Sequence, residues 1–354
     1  MSQNKFQNPE TNAAHALPLP ALDAYLHANL PGWSGLVSAD KFSGGQSNPT
    51  FKLSSLTHTL VLRRKPPGTL LASAHAVDRE YRVLRALHGS NVPVARPILL
   101  CLDESVIGSM FYLMEFLPGR IFWNPALPEL DASQRGSIFD EIADTLGALH
   151  QINPAAVGLA DYGKPGDYFQ RQLGRWEKQF SQSEIEPIPD MHALHQALVT
   201  NAPADDGQIA LVHGDYRIDN LIFDPAQPRI QAIVDWELST LGHPIADAAY
   251  FAMALRLPQN PALPGLAGLN RAELAIPQES AWLNRYLSAA QLKNADALIE
   301  RWPWYLAFNF YRLAAIAQGV KKRASLGNAS HARAGEVGQM VAMLAGMGLA
   351  QLRQ

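Results

Sequence analysis

The chain has 354 residues, enough for one large domain or for two lobes sharing a cleft. Apolar residues make up 47% and charged residues 17%, a balance that can bury a full core. The net charge of −3 excludes the strongly basic face that nucleic-acid binding requires. A single cysteine, Cys101, allows no intrachain disulfide and fits a reducing cytoplasm. Residues 1–20 lack an apolar run of signal-peptide length and read as a loose arm. The most apolar long stretch, 302–320, carries Asn309, Arg312 and Gln318, so a buried helix is expected there and no membrane span.

A helix is expected at 20–30. Phe42 to Phe51 then forms a Gly/Ser/Asn-containing turn between two extended stretches. Thr59-Leu60-Val61-Leu62-Arg63 is β-branched and apolar, hence a strand, broken by Lys65-Pro66-Pro67-Gly68. Residues 74–88 have Val77, Tyr81, Leu84 and Leu87 on one helical face. Ile98–Leu102 and Phe111–Phe116 read as strands, and Leu117-Pro118-Gly119 ends the sheet. Asp131 caps a helix running to about 150, and further helices are expected at 167–182 and 190–200. A short β segment follows at 209–212, 221–223 and 230–234. From 244 onward the pattern is helical, with a Pro-rich loop at 258–264.

The strongest chemical signal is the polar loop His213-Gly214-Asp215-Tyr216-Arg217-Ile218-Asp219-Asn220, set between two apolar strands. A second acid, Asp235, ends the strand 230–234. Phosphoryl transfer needs a carboxylate to orient and deprotonate the acceptor hydroxyl, and oxygen ligands to hold magnesium on the phosphates. Asp215 suits the first task; Asn220 and Asp235 suit the second. Taken alone, the loop also reads as an ordinary polar hairpin.

His-x-Asp-x-x-x-x-Asn followed by Asp235-Trp236-Glu237 resembles the aminoglycoside phosphotransferase and choline kinase group, over roughly 38–325. That resemblance implies an α+β, two-lobed protein-kinase-like fold. An N-terminal antiparallel sheet lobe, 21–117, would bind the nucleotide. A larger helical C-terminal lobe, 118–354, would hold the catalytic and acceptor residues. It implies ATP and Mg2+, and a small-molecule hydroxyl acceptor. Protein kinases carry His-Arg-Asp and Asp-Phe-Gly at the two acids; this chain has Gly214 and Glu237 where those have Arg and Gly. Only eleven residues, Trp236–Ala246, separate Asp235 from Asp247, too few for an activation segment. By the resemblance, His213 and Asp247 are structural, with Asp247 bracing the loop's amides. Glu237 either holds a magnesium-bound water or is a solvated strand-end acid.

On the nucleotide side, Ser43, Gly44, Gly45 and Ser47 form the candidate phosphate-covering turn, because glycines let amides approach phosphate oxygens. Arg63 is the candidate phosphate-holding cation, its register uncertain against Arg64 and Lys65. Glu80 is its partner by resemblance. The backbone groups of Glu115 and Leu117 are placed to meet an adenine edge.

On the acceptor side, Tyr305, Asn309 and Arg312 recur at i, i+4 and i+7 and form one polar stripe, which either lines a pocket or pairs within a core. Arg301 to Arg323 contains five basic residues and no acids, which suits an anionic acceptor better than a polycationic aminoglycoside. Val61–Gly68, Ser73–Tyr81 and His213–Asp224 also resemble the kinase-type domain associated with acyl-CoA dehydrogenases. That branch implies a hydroxyacyl-CoA acceptor, with Arg64, Lys65 and Lys321–Arg323 available to its phosphates. A nucleotide-binding pseudokinase with a regulatory role and an aminoglycoside O-phosphotransferase are the alternatives.

Overall fold

The computed structural model describes residues 17–42, 48–66, 76–260, 263–325 and 334–353. They group into two compact units. One takes the chain up to Gly119 together with Gln231–Glu237; the other takes Arg120–Ile230 and the chain from Leu238. The division expected at 117/118 left 231–237 with the helical part. The Ile233 N–H donates to the Pro93 carbonyl at 2.9 Å and Asp235 is tied to Arg63, which draws that segment to the sheet. The expected arm, 1–20, lies largely outside the described residues.

The first unit holds α1 (Leu19–Asn29), β1 (Ser38–Lys41), β2 (Thr50–Ser54), β3 (Thr59–Arg64), α2 (Val77–Leu87), β4 (Pro97–Cys101) and β5 (Phe111–Glu115). The five strands form one antiparallel sheet in the order β1-β2-β3-β5-β4. β3 is central and buried from Leu60 to Arg64, which explains its near-continuous apolar run. The two-residue period then sorts its side chains. Leu60 and Leu62 join Phe51, Leu53, Phe111 and Leu113 in a core that also takes Leu22 and Leu26 of α1. Burying each such side chain is worth about 1.5–3 kcal/mol. Arg63 points to the other face, toward Glu80 on α2.

The second unit is mostly helical: α3 (Ala132–Gln151), α4 (Tyr168–Ser183) and α5 (Pro189–Thr200), then β6 (Ala210–Val212) and β7 (Leu221–Phe223). β8 (Ile230–Ile233) leads out of the unit, and the chain returns through β9 (Thr240–Gly242), which pairs antiparallel with β6. After these come α6 (Ile245–Leu255), α7 (Glu279–Ala290), α8 (Ala295–Glu300), α9 (Trp302–Ser325), α10 (Ala334–Gln339) and α11 (Val341–Gln351). α3 opens on a capping box: Asp131 accepts from the Gln134 amide at 2.9 Å, and the Gln134 side chain accepts from the Asp131 amide at 3.3 Å. Its buried face carries Ile138, Ile142, Leu146 and Leu149.

This is the α+β architecture the sequence implied, an antiparallel sheet followed by a mainly helical part. The chain differs after α6. Among the described residues between Arg256 and Gln278 there is no helix, a longer irregular stretch than the 258–264 loop expected. Backbone bonds from Leu266 N–H to the Leu255 carbonyl (2.8 Å) and from Ala267 N–H to the Leu257 carbonyl (3.0 Å) organise it. Among the described residues, no helix is long and apolar enough to cross a membrane.

Candidate active site

In the first unit, chemistry gathers on the α2 face of the sheet. The Arg63 guanidinium lies with Nε 2.8 Å from Glu80 Oε2 and Nη2 2.5 Å from Asp235 Oδ1; Glu237 Oε2 stands 3.9 Å from the same Nη2. Burial opposes the guanidinium charge, but Glu80, Asp235 and Glu237 outweigh it and hold Arg63 protonated. Glu80 is 1% exposed and also accepts from Asn48 Nδ2 at 2.6 Å and from the Tyr112 hydroxyl at 3.3 Å. Burial and the neighbouring Glu80 push the Tyr112 phenol up, so it acts as a donor. Sequence reading missed Asn48 and Tyr112, since a lone Asn after a turn and a strand Tyr carry no motif.

Asp235 adopts φ +70°, the left-handed region that a non-glycine residue enters only at a cost of about 1–3 kcal/mol. Its carboxylate meets Arg63 from this conformation. Arg64 lies on the opposite sheet face, is 3% exposed, and donates to the Ile107 carbonyl at 3.4 Å. The cation facing the acids is therefore Arg63. The Glu115 amide donates to the Arg96 carbonyl at 3.0 Å and is engaged there. Leu117 is half-buried just beyond β5. Ser43, Gly44, Gly45 and Ser47 lie outside the described residues.

In the second unit, the loop between β6 and β7 carries Asp215. Asn220, in a short 3-10 turn, donates its Nδ2 to the Asp215 carbonyl (2.9 Å) and to Asp215 Oδ2 (3.1 Å). That commits the amide nitrogen and leaves the Asn220 side-chain oxygen as an acceptor or ligand. Arg217 forms a two-pronged ion pair with Asp219, at 3.0 and 2.8 Å. Burial works against the Arg217 charge, yet Asp219 and Asp215 raise its pKa well above the usual value.

The loop is held from behind. Asp247, near the start of α6, accepts from the backbone N–H of His213 at 2.6 Å and of Gly214 at 2.8 Å. His150 of α3 reaches the same carboxylate at 3.3 Å, and its other ring nitrogen meets the Tyr286 hydroxyl at 2.8 Å. Burial alone would raise the Asp247 pKa; the hydrogen bond and charge of His150, the nearby His213 and the Gly214 amide together pull it below the usual carboxylate value. His213 is fully buried, and its Nδ1 accepts from the Asp215 amide at 3.1 Å.

Gly214 has φ +81°, and a Cβ there would sit 2.6 Å from the Leu238 carbonyl oxygen. The glycine is thus demanded twice, by its dihedral and by the close approach of another backbone. Gly214→Ala is expected to cost roughly 1–3 kcal/mol, read as a lower midpoint in chemical denaturation, with a matching loss of turnover.

The stripe Tyr305, Asn309 and Arg312, expected to meet the acceptor, is buried. α9 is buried all round, with Tyr305 4%, Asn309 0% and Arg312 5% exposed. Asn309 Nδ2 donates to the backbone carbonyls of Ala246 and Tyr305, and Tyr305 packs among Phe169, Trp304 and His243. Arg312 donates through Nη2 to the Gly214 carbonyl, with its guanidinium over the rings of Tyr250 (4.8 Å) and Trp176 (5.4 Å). These environments set Tyr305 and Asn309 in the core of the second unit and Arg312 against the Asp215 loop. Period alone could not separate a polar stripe facing a pocket from one satisfied inside a bundle.

The basic residues expected to meet an anionic acceptor are also largely committed. Lys321 pairs with Glu186 at 2.6 Å, Lys322 donates to the Gln182 carbonyl at 2.5 Å, and Arg64 is buried.

A small apolar cavity of about 30 Å³ within the second unit lies against the loop. Arg217, Ile218 and Asp219 form one wall; Trp123, Tyr250, Phe251, Met253, Leu257 and Leu313 supply much of the rest. Burial first, and then the Asp215 charge, push the Tyr250 phenol above its ordinary range. Sequence reading missed this wall, which draws on four separate segments. Its one local signal is Tyr250, three residues after Asp247 and so on the same helical face.

Known proteins with similar sequence and shape share these features' scaffold. The profile of the Phosphotransferase enzyme family matches residues 38–283. Acyl-CoA dehydrogenase family member 10 of Mus musculus is 42% identical over 332 residues, covering 93% of this chain and 31% of that protein. The chain thus spans about a third of that relative's length. A crystal structure from Ralstonia eutropha JMP134, named only provisionally as an aminoglycoside phosphotransferase, is 42% identical with a TM-score of 0.85, covering 96% of this chain and 99% of that one. A thermostable variant of aminoglycoside phosphotransferase APH(4)-Ia, in ternary complex with AMP-PNP and hygromycin B, shares the fold at 15% identity and a TM-score of 0.58, covering 94% and 98% of the two chains. With the family profile running from the first strand of the sheet into α7, the chain belongs to the phosphotransferase enzyme family.

Proposed function

We propose that this chain is an ATP- and magnesium-dependent kinase that phosphorylates a hydroxyl on a small acceptor with an aliphatic portion, of the hydroxyacyl-CoA type. The observation that carries this reading is the Asp215 loop, with Asn220 bonded to the Asp215 carboxylate and Asp247 bracing the loop amides; the small apolar cavity beside it bears on the acceptor. A polycationic aminoglycoside would call for acids in that wall, and the one acid there, Asp219, is neutralised by Arg217. An aliphatic chain suits walls of Phe251, Met253, Leu257 and Leu313. The relative at 42% identity is named for acyl-CoA, which points the same way.

In this reading Asp215 orients the acceptor hydroxyl and takes its proton. Arg63 holds the nucleotide phosphates, and the turn of Ser43, Gly44, Gly45 and Ser47 covers them. The Glu115 carbonyl and Leu117 amide meet the adenine. Asp235 and the side-chain oxygen of Asn220 are hard oxygen donors of the kind magnesium takes. Magnesium usually accepts one or two protein carboxylates and completes its shell from phosphates and water, so this donor set fits it. Bound there, it would neutralise charge on the transferring phosphoryl group.

Two experiments test the proposal. With ATP and magnesium, a product screen by mass spectrometry over hydroxyacyl-CoAs, amino alcohols, sugars and aminoglycosides is expected to favour hydroxyacyl-CoAs; a preference for aminoglycosides or sugars overturns the acceptor class. Asp235→Ala is expected to weaken magnesium-dependent nucleotide binding about 100-fold, roughly 2.7 kcal/mol. Unchanged Mg-ATP binding in that variant would remove Asp235 from the metal site.

A further inference from the structure

Trp176 on α4 and Arg312 on α9 are 4% and 5% exposed, yet each keeps a buried N–H without an acceptor: Nε1 of Trp176 and Nε of Arg312. The Arg312 guanidinium lies over the Trp176 ring at 5.4 Å, and the Arg175 guanidinium lies over the same ring at 5.2 Å. Two positive charges thus share one indole. Other arginines of this unit are answered by acids: Arg217 by Asp219, Arg256 by Glu279 and Arg285 by Asp144. Among the described residues, no carboxylate pairs with Arg175 or Arg312, and Arg175 forms no hydrogen bond. Arg312 is met only by the Gly214 carbonyl and by the faces of Tyr250 and Trp176, none of which carries a full negative charge. A buried cation is ordinarily paired, and an unmade buried N–H is costly. Cations and orphaned donors gathered without an acid call for an oxyanion, and the guanidinium fork matches the oxygens of phosphate and carboxylate. Arg175 is exposed, so this place is open to solvent on its α4 side.

We propose that Arg175, Trp176 and Arg312 form an oxyanion subsite, which holds a phosphate or carboxylate group carried by the acceptor. The subsite adjoins the Asp215 loop, because Arg312 also bonds the Gly214 carbonyl next to Asp215. It adjoins the small apolar cavity as well, because Tyr250, whose ring Arg312 covers at 4.8 Å, lines that cavity. The charged and aliphatic parts of one acceptor thus have neighbouring walls. The proposal rests on the reading of the chain as a kinase whose acceptor meets the Asp215 loop. It adds where the negative charge of that acceptor is held.

The test is equilibrium binding to the full chain by titration calorimetry, with AMP-PNP and magnesium saturating so that Arg63 is not available to the probes. Three probes are compared: coenzyme A, pantetheine, which lacks its phosphates, and 3-hydroxybutyrate, a short hydroxy acid. Coenzyme A is expected to bind at least about 10-fold more tightly than pantetheine. Arg175→Glu is expected to weaken coenzyme A by about 10- to 100-fold, while pantetheine and AMP-PNP binding hold within about twofold. Because Arg175 is exposed and bonds nothing in the fold, the variant should keep the wild-type melting temperature. Arg175→Lys, which restores the charge, should recover most of the affinity. Coenzyme A bound equally well by wild type and Arg175→Glu overturns the subsite and leaves the acceptor class standing. Tight binding of 3-hydroxybutyrate that depends on Arg175, without binding of coenzyme A, upholds the subsite and overturns the hydroxyacyl-CoA acceptor. Failure of wild type to bind either anion overturns the subsite.

Discussion

Asp215→Asn is expected to lower the rate of phosphoryl transfer by about 10²- to 10⁴-fold while nucleotide binding persists, checked by steady-state turnover alongside equilibrium ATP binding. The substitution keeps the shape of the side chain. Its carboxamide oxygen can still accept from Asn220 Nδ2, now 3.1 Å from Asp215 Oδ2, so the loop has little reason to rearrange. What disappears is the negative charge that receives the acceptor proton. Because no nucleotide contact has been assigned to Asp215, KM for ATP should hold. A variant that kept wild-type turnover would show that the proton leaves by another route, and the catalytic assignment would fall.

Asp247→Ala is expected to destabilise the protein by about 3–5 kcal/mol, read from chemical denaturation, and to abolish turnover in whatever folds. The carboxylate is 1% exposed and satisfies two backbone amides and one imidazole. Removing it orphans the His213 and Gly214 N–H groups inside the core, each at a cost of about 1–3 kcal/mol. The depressed pKa of Asp247 adds a pH signature. A carboxyl whose folded-state pKa lies below its unfolded value contributes stability that is fully present above the unfolded pKa, about 3.9, and is lost as pH falls toward the folded one. Wild-type stability should therefore drop below about pH 4 with a component that Asp247→Asn lacks. Identical acid profiles for the two proteins would contradict the depressed pKa.

Sequence and structure agree best where chemistry forces a residue type at a short spacing. Asp215 and Asn220 sit five apart in one loop, and the side-chain contact between them follows from that spacing. Arg63 was legible from a strand whose two-residue period sends it away from Leu62 and Arg64. Asp131 announced α3 because few residue types cap a helix. Long-range assembly was not legible. Nothing local in Asn48 says that it bonds Glu80, 32 residues on. The polar stripe of α9 has the same period whether it faces a ligand or a carbonyl, and only the tertiary packing decides. The irregular stretch after α6 misled for a related reason: its apolar residues line a cavity, and so imitate the face of a helix.

The close approach of Leu238 to Gly214 also bears on how such a loop can diverge. Protein kinases place arginine at the corresponding position of their catalytic loop. Here the carbonyl of Leu238 occupies the volume into which the first carbon of any side chain would project. A change from glycine to arginine would be opposed at its first atom, before any benefit of the guanidinium could be realised. The backbone after Asp235 would have to withdraw first, for instance by lengthening between Asp235 and Asp247. The order of those two events is then fixed by sterics: the Leu238 backbone must withdraw before a side chain is accommodated at 214. While the Leu238 carbonyl stays where it is, position 214 is held to glycine.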